Sequence, residues 1–197
     1  MKLGFPILSP LRVPLKQLAV FAIWESEEAV DEFLSTHKLG KVLSEGWHVR
    51  LEFIRRWGRV RELEVLGEEK EEQDPLAPVV AVTLARMKLT QVPRFIRWGK
   101  PVETLVRDHP GVTLATAAVR FPRTVSTFSV WKSQNDMLDM VHGRGAITNP
   151  TRHIDAMEER DRKDFHWEFT TLRFRPLSEH GQWDGRNGFV SGLDSSL

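Results

Sequence analysis

STFSVWKS, from Ser126 to Ser133, and AVFAIWES, from Ala19 to Ser26, are two copies of one short pattern. In each copy, four or five β-prone residues run into a tryptophan, and a serine follows two residues later. A serine at this place can accept hydrogen bonds from the free N–H groups at the start of a helix. The pattern therefore predicts the same unit twice, a strand followed by a capped helix.

The stretches around the second copy complete a larger unit. Val79 to Ala85, VVAVTLA, is apolar on both faces, as a central strand would be. A helix is predicted through Arg94 to Trp98, a strand over Val112 to Val119, and a closing strand over Phe165 to Phe174. This order is β-α-β-β-α-β, the ferredoxin-like arrangement.

The first copy is shorter, because its opening strand and helix are missing ahead of Ala19. It continues with two helical segments and a strand from Trp47 to Ile54. We predict an α+β fold of two tandem ferredoxin-like repeats, a dimeric-α/β-barrel-type fold whose paired sheets enclose a cavity. Either the first copy is truncated, or another chain completes it in a homodimer.

The boundary between the repeats follows from composition. The stretch GEEKEEQDPLAP, residues 67–78, is too charged and too rich in proline to bury a core. We therefore divide the chain into a truncated first repeat, 1–66, a linker, 67–78, and a second repeat, 79–197, which together form one structural domain.

Charge and cysteine content exclude several classes of function. With 28 basic and 27 acidic residues the net charge is +1, so no overall field favours nucleic acid. There is no cysteine, which excludes disulfides and thiolate ligands and fits a reducing, cytoplasmic compartment.

Prolines interrupt Met1 to Pro14 where an export signal needs an apolar helix. No stretch reaches the roughly 18 apolar residues of a transmembrane helix, so we predict a protein that is soluble or contacts a membrane only peripherally.

Four short motifs carry a resemblance to a known family: FSVW at 128–131, HIDAM at 153–157, RFR at 173–175 and GQW at 181–183. In these motifs the chain resembles the spheroidene monooxygenase family of carotenoid biosynthesis. It departs from the family by lacking the N-terminal strand and by carrying extra residues, HGRGAITNPTR, before His153.

The resemblance implies a heme-dependent enzyme that inserts oxygen into an apolar, carotenoid-like substrate. It suggests His153 as the axial ligand of the heme iron, with His142 as a rival in a stretched form of the same motif. Trp131, like Trp24 in the first copy, is either an aromatic wall of the pocket or a core anchor. Arg173 either pairs with heme propionates or belongs to a solvated strand edge.

His166 and Glu168 are the predicted catalytic residues. They stand two apart on the closing strand, so regular alternation would point both side chains into one pocket. With His153 they also have the composition of a two-histidine, one-carboxylate iron site. The alternative without a catalytic role is that these residues form an ordinary polar cluster.

Three functions remain open at this point. The leading prediction is a heme monooxygenase that needs an electron donor or peroxide, because the chain offers no thiolate and no reductase module. The second is a cofactor-independent or non-heme monooxygenase that uses His166 and Glu168. The third is a non-catalytic protein that binds heme or another small molecule.

Overall fold

The computed structural model describes residues 3, 17–70, 74–144, 151–193 and 195–196. Most of the N-terminal stretch discussed for an export signal lies outside the described residues. So do residues 71–73 of the linker and residues 145–150 of the segment before His153.

Five helices and six strands alternate along the described chain. They are α1 Glu27–Thr36, α2 Lys38–Ser44, β1 His48–Arg59, β2 Val79–Met87, α3 Val92–Asp108, β3 Val112–Arg120, β4 Thr124–Trp131, α4 Gln134–Val141, α5 Arg152–Arg162, β5 His166–His180 and β6 Ser195–Ser196. Single turns of 3₁₀ helix follow β1, at Arg61–Leu63, and β2, at Leu89–Gln91. None of these described helices is both long and apolar enough to cross a membrane.

One sheet holds the fold together, with the strand order β1-β5-β2-β4-β3 and β6 beside β5. The first five strands pair antiparallel throughout, and β6 runs parallel to β5. In the second half, β2 and β4 are central and β5 and β3 flank them, which is the predicted ferredoxin-like arrangement. The α+β class is confirmed, and the closing strands of both halves, β1 and β5, pair with each other.

The two copies of the short pattern share their helix caps but not their strands. The Ser26 hydroxyl accepts a hydrogen bond from the Ala29 N–H at 3.2 Å, and the Ser133 hydroxyl accepts one from the Asp136 N–H at 3.1 Å. Residues 19–24, however, form no strand. A strand needs a partner for its backbone groups, and this segment instead places the Phe21 ring 5.7 Å from that of Phe174.

The two faces of the sheet have different partners. On the face that we call the helix face, Val79 and Ala85 of β2 belong to clusters that include residues of α3 and α4. On the opposite face, Val80 and Val82 pack with Leu172 and with the segments after β1 and β5. These segments contribute Val60, Leu63, Leu66, Phe189 and Val190 to the buried core of the opposite face.

Candidate functional site

The middle of the helix face carries hydroxyl groups where a helix-covered sheet would ordinarily be apolar. Thr83 of β2 lies between Thr127 of β4 and Thr171 of β5 in the strand register. These three residues, the threonine row, share the face of Ala81 and Ala85, because residues two apart on a strand point the same way. Thr127 is exposed, so solvent reaches the sheet beneath the helices at this point.

His153 lies on the side of α5 that faces this sheet. That side is identified by Arg160, whose guanidinium lies 4.9 Å above the ring of Phe169, and by the buried Ala156. Phe169 pairs with Ala85 on the helix face. Since residues seven apart share a helix face, His153 points to the same side as Arg160, about 10 Å nearer the start of α5.

The surroundings of the His153 ring favour its neutral form over the charged one. Burial lowers the pKa of His153, while the carbonyl of Val141 acts in the opposite direction by accepting a hydrogen bond from the ring. A neutral imidazole that donates from one nitrogen keeps a lone pair on the other. In metal sites, a hydrogen bond from one ring nitrogen commonly orients a histidine that binds the metal through the other.

Trp131 does not line the threonine row. It is fully buried in the cluster that includes Val79 and Met137, and its ring lies 5.3 Å from that of His109. Its indole N–H donates to the Ser129 hydroxyl at 2.9 Å. Trp131 is therefore a core anchor. Its hydrogen bond also fixes the side chain of Ser129, which is the next residue after Thr127 on the same face of β4.

Arg173 is buried on the helix face, in the register position next to Ala81. Its guanidinium lies 4.4 Å above the ring of Trp57. The alternative of a solvated strand edge is therefore wrong for Arg173. It is correct for Arg175, which is exposed and forms an ion pair with Glu52.

His166 is buried on the helix face at the start of β5, opposite Met87, with 4% of its surface exposed. Three phenylalanines enclose its ring, at 5.0 Å for Phe169, 5.7 Å for Phe165 and 5.8 Å for Phe95. The Asp164 carboxylate lies 3.2 Å from Nδ1, but neither ring nitrogen has a hydrogen-bond partner in the described part of the chain. Burial lowers the pKa of His166, and Asp164 opposes this shift.

Glu168 faces the other way, so the prediction of a shared pocket with His166 is wrong. His166 pairs with Met87 and Glu168 with the adjacent Arg86, which leaves Trp167 as an extra residue in a β-bulge. On the opposite face, Glu168 forms an ion pair with Arg86 at 2.5 Å and accepts the Arg61 N–H at 3.3 Å.

The iron site of two histidines and one carboxylate is consequently not assembled. Within residues 17–70, 74–144 and 151–193, no three histidine, aspartate or glutamate side chains are grouped to hold a metal ion. The rival ligand His142 is exposed at the end of α4, and Trp24 is exposed outside any strand, 4.9 Å from the ring of Phe33.

Sequence reasoning missed the threonine row and the partner of His166. The row could have been found, because Thr83 and Thr127 interrupt the apolar alternation of β2 and β4 on the side of the predicted helices. Asp164 offered no comparable signal, since its carboxylate belongs to a charged run and reaches His166 only through the turn before β5.

No protein-family model matches the chain, and the comparison with curated proteins finds no match. Solved structures with a partial likeness include a protein from Fusobacterium nucleatum described provisionally as a monooxygenase, with 14% identity and a TM-score of 0.45. The likeness covers 66% of this chain and 52% of that one, so this chain spans about half of that protein.

Two further solved structures show a partial likeness. An anthrone oxidase-like protein has 14% identity and a TM-score of 0.38, over 86% of this chain and 74% of that one. A conserved protein from Methanosarcina mazei has 10% identity and a TM-score of 0.42, over 52% of this chain and 96% of that one.

Proposed function

We propose that the chain is a monooxygenase whose site lies between the threonine row and α5, with His153 as the ligand of a heme iron. The observation that carries the proposal is the position of the His153 ring, which donates a hydrogen bond to the Val141 carbonyl on the sheet-facing side of α5. The motif resemblance around 153–157 supports the same residue.

The residues present fit a heme in two respects. His153 offers a neutral nitrogen with its other nitrogen engaged, and Arg173 is a buried guanidinium on the same face, suited to a propionate. The role of Trp131 is indirect, because its ring is enclosed in the core. When bound, heme would supply the activation of oxygen, and the protein would supply orientation and exclusion of water.

The substrate that we propose is an apolar, carotenoid-like molecule. Between the threonine row and the end of β2 the helix face becomes aromatic, with Phe95, Trp98 and Phe169 packed against the cluster of Met87. Such a surface suits a hydrocarbon or an extended conjugated system. Because the chain has no cysteine, the iron would lack a thiolate ligand, and turnover would depend on peroxide or on a separate electron donor.

A hemin titration tests this proposal directly. We expect the purified protein to develop a sharp Soret band of histidine-ligated heme at one equivalent of hemin. His153→Ala should remove the band, whereas His142→Ala should retain it, because His142 is exposed at the end of α4. If the parent binds no hemin, or if both variants behave alike, His153 is not a heme ligand.

A second candidate is a monooxygenase that needs no cofactor, and the environment of His166 favours it. Both ring nitrogens lack a hydrogen-bond partner among the described residues, and the negative charge of Asp164, 3.2 Å from Nδ1, favours a proton there, which leaves Nε2 as a base inside a cage of three phenylalanines. Oxygen uptake by metal-free and heme-free protein, measured over a panel of reduced aromatic compounds, would support it if His166→Phe abolishes uptake. Binding of such compounds without oxygen uptake would instead indicate a carrier.

A further inference from the structure

A pocket lies at the end of the sheet, between the β3–β4 turn at 121–123 and the bulged start of β5. We call it the end pocket. Its volume is about 550 Å³, and Phe121, Arg123 and Trp167 line it together with Arg86 and Arg120. Glu168 reaches it from the opposite face, so it is separate from the threonine row and from His153.

Two aromatic rings in the end pocket are left in solvent. Phe121, in the turn, is 90% exposed, and Trp167, the bulge residue, is 68% exposed. A bulge re-aims the side chain of its extra residue, and here the ring of Trp167 lies 5.2 Å from the Lys88 ammonium. Exposed aromatic rings beside cationic groups commonly mark binding surfaces.

The charges of the end pocket do not cancel. Arg86 forms ion pairs with Glu62 and Glu168, both at 2.5 Å, and Arg120 shares Glu62 at 3.1 Å. The Arg120 guanidinium and the nearby Arg86 keep the pKa of Glu62 low, so Glu62 remains ionised. Its negative charge is paired with these two arginines.

Arg123 completes the set without a carboxylate of its own in the described part of the chain, and only its backbone carbonyl is engaged, by the Met87 N–H at 2.8 Å. Three guanidinium groups of the end pocket therefore face two carboxylates, which leaves one positive charge unmatched.

We propose that the end pocket binds a small planar aromatic anion. The ring system of the ligand stacks against Phe121 and Trp167, and its carboxylate or phosphate group pairs with Arg123, whose planar guanidinium suits bidentate contact. Neither feature alone selects this class, because the rings alone would accept any flat molecule and the charge alone any anion. This inference does not rest on heme binding or on His153.

Isothermal titration calorimetry with 1-naphthyl phosphate tests the proposal, with inorganic phosphate and 2-naphthol as the two halves of the probe. We expect saturable binding of 1-naphthyl phosphate at one site, and at least about tenfold weaker binding of each half. Arg123→Gln should weaken binding about tenfold, and Phe121→Ala about fivefold. Arg97→Gln, an exposed arginine of α3 outside the end pocket, is the matched control and should leave binding unchanged.

Several outcomes would overturn the proposal. Equal affinity for inorganic phosphate would show a simple anion site, and equal affinity for 2-naphthol would show unspecific apolar contact. An equal loss in Arg97→Gln would show a general effect of charge. Absence of binding to the parent, together with concentration-dependent self-association that Phe121→Ala removes, would make the end pocket a protein contact instead.

Discussion

The carboxylate of Glu179 fastens the C-terminal segment to the opposite face of the sheet, and neutralising it should destabilise the protein measurably. Glu179 is 0% exposed. Its Oε1 accepts the Trp47 indole N–H at 2.8 Å and the Phe189 N–H at 3.0 Å, and its Oε2 accepts the Val190 N–H at 2.9 Å. All three donors belong to segments that cover the apolar cluster of the opposite face.

Glu179→Gln keeps one oxygen for two of these donors but turns an amide N–H toward the third. Hydrogen bonds to charged groups contribute about 1.5–3 kcal/mol each, and an unsatisfied buried donor costs about 1–3 kcal/mol. We therefore expect the free energy of unfolding to fall by about 2–3 kcal/mol. Glu179→Ala leaves all three donors without an acceptor, and its loss should be larger, about 3–5 kcal/mol.

Urea unfolding, followed by tryptophan fluorescence, measures this difference. With a slope of about 2 kcal/mol per molar urea, the midpoint of Glu179→Gln should fall by about 1–1.5 M. Glu45→Gln serves as the control, because Glu45 is exposed at the end of α2. A Glu179→Gln midpoint within about 0.2 M of the parent would refute the argument, since it would mean that the three hydrogen bonds add no net stability.

Three further perturbations follow from particular contacts. Gly58→Ala should lower stability by about 2 kcal/mol or more in the same urea assay, because Gly58 has φ +75° and an added Cβ would lie 2.3 Å from the Phe169 carbonyl oxygen; an unchanged midpoint would contradict this. Burial lowers the pKa of His166 below its usual 6.5, so the unfolded chain takes up a proton more readily, and stability should fall as the pH drops below about 6.5. His166→Phe should flatten that part of the pH profile, and an identical slope would show that His166 does not contribute. Arg94 donates to the Glu159 carboxylate at 2.6 Å and to its carbonyl at 2.7 Å, joining α3 to α5. Arg94→Lys cannot form both hydrogen bonds with one planar group, so its thermal midpoint should be lower than that of the parent. An equal midpoint would show that this contact between α3 and α5 adds no stability.

The second half of the fold was predictable because local signals agree with each other there. The apolar run at Val79–Ala85, the serine cap at Ser133 and the strand from Val112 to Val119 each specify one element, and the connections between them leave little choice of topology. The first half was less predictable. Residues 19–24 have strand-like composition, but β-propensity is realised only where a neighbouring strand supplies partners, and here the segment packs against Phe174 instead.

The candidate site was predictable residue by residue but not as an arrangement. His153 was singled out through its motif, and helical spacing predicts that it shares one side of the helix with Arg160. The buried position of Arg173 was not accessible to the same reasoning, because it depends on Trp57 of β1, far away in the sequence. Sequence patterns report which face a side chain takes, whereas the packing partner across the sheet depends on the register of a distant strand.

The β-bulge at Trp167 shows why residues 166–168 divide between different environments. Alternation along a strand places i and i+2 on one face only while every residue has a partner across the ladder. One unpaired residue shifts this relation, and so His166 enters the phenylalanine cage of the helix face while Glu168 meets Arg86 on the opposite face. Trp167 has no partner in β2, and it is one of the two exposed aromatic residues of the end pocket. The same irregularity that breaks the predicted pairing of His166 with Glu168 therefore contributes Trp167 to the end pocket, and the two residues lie on different sides of the sheet.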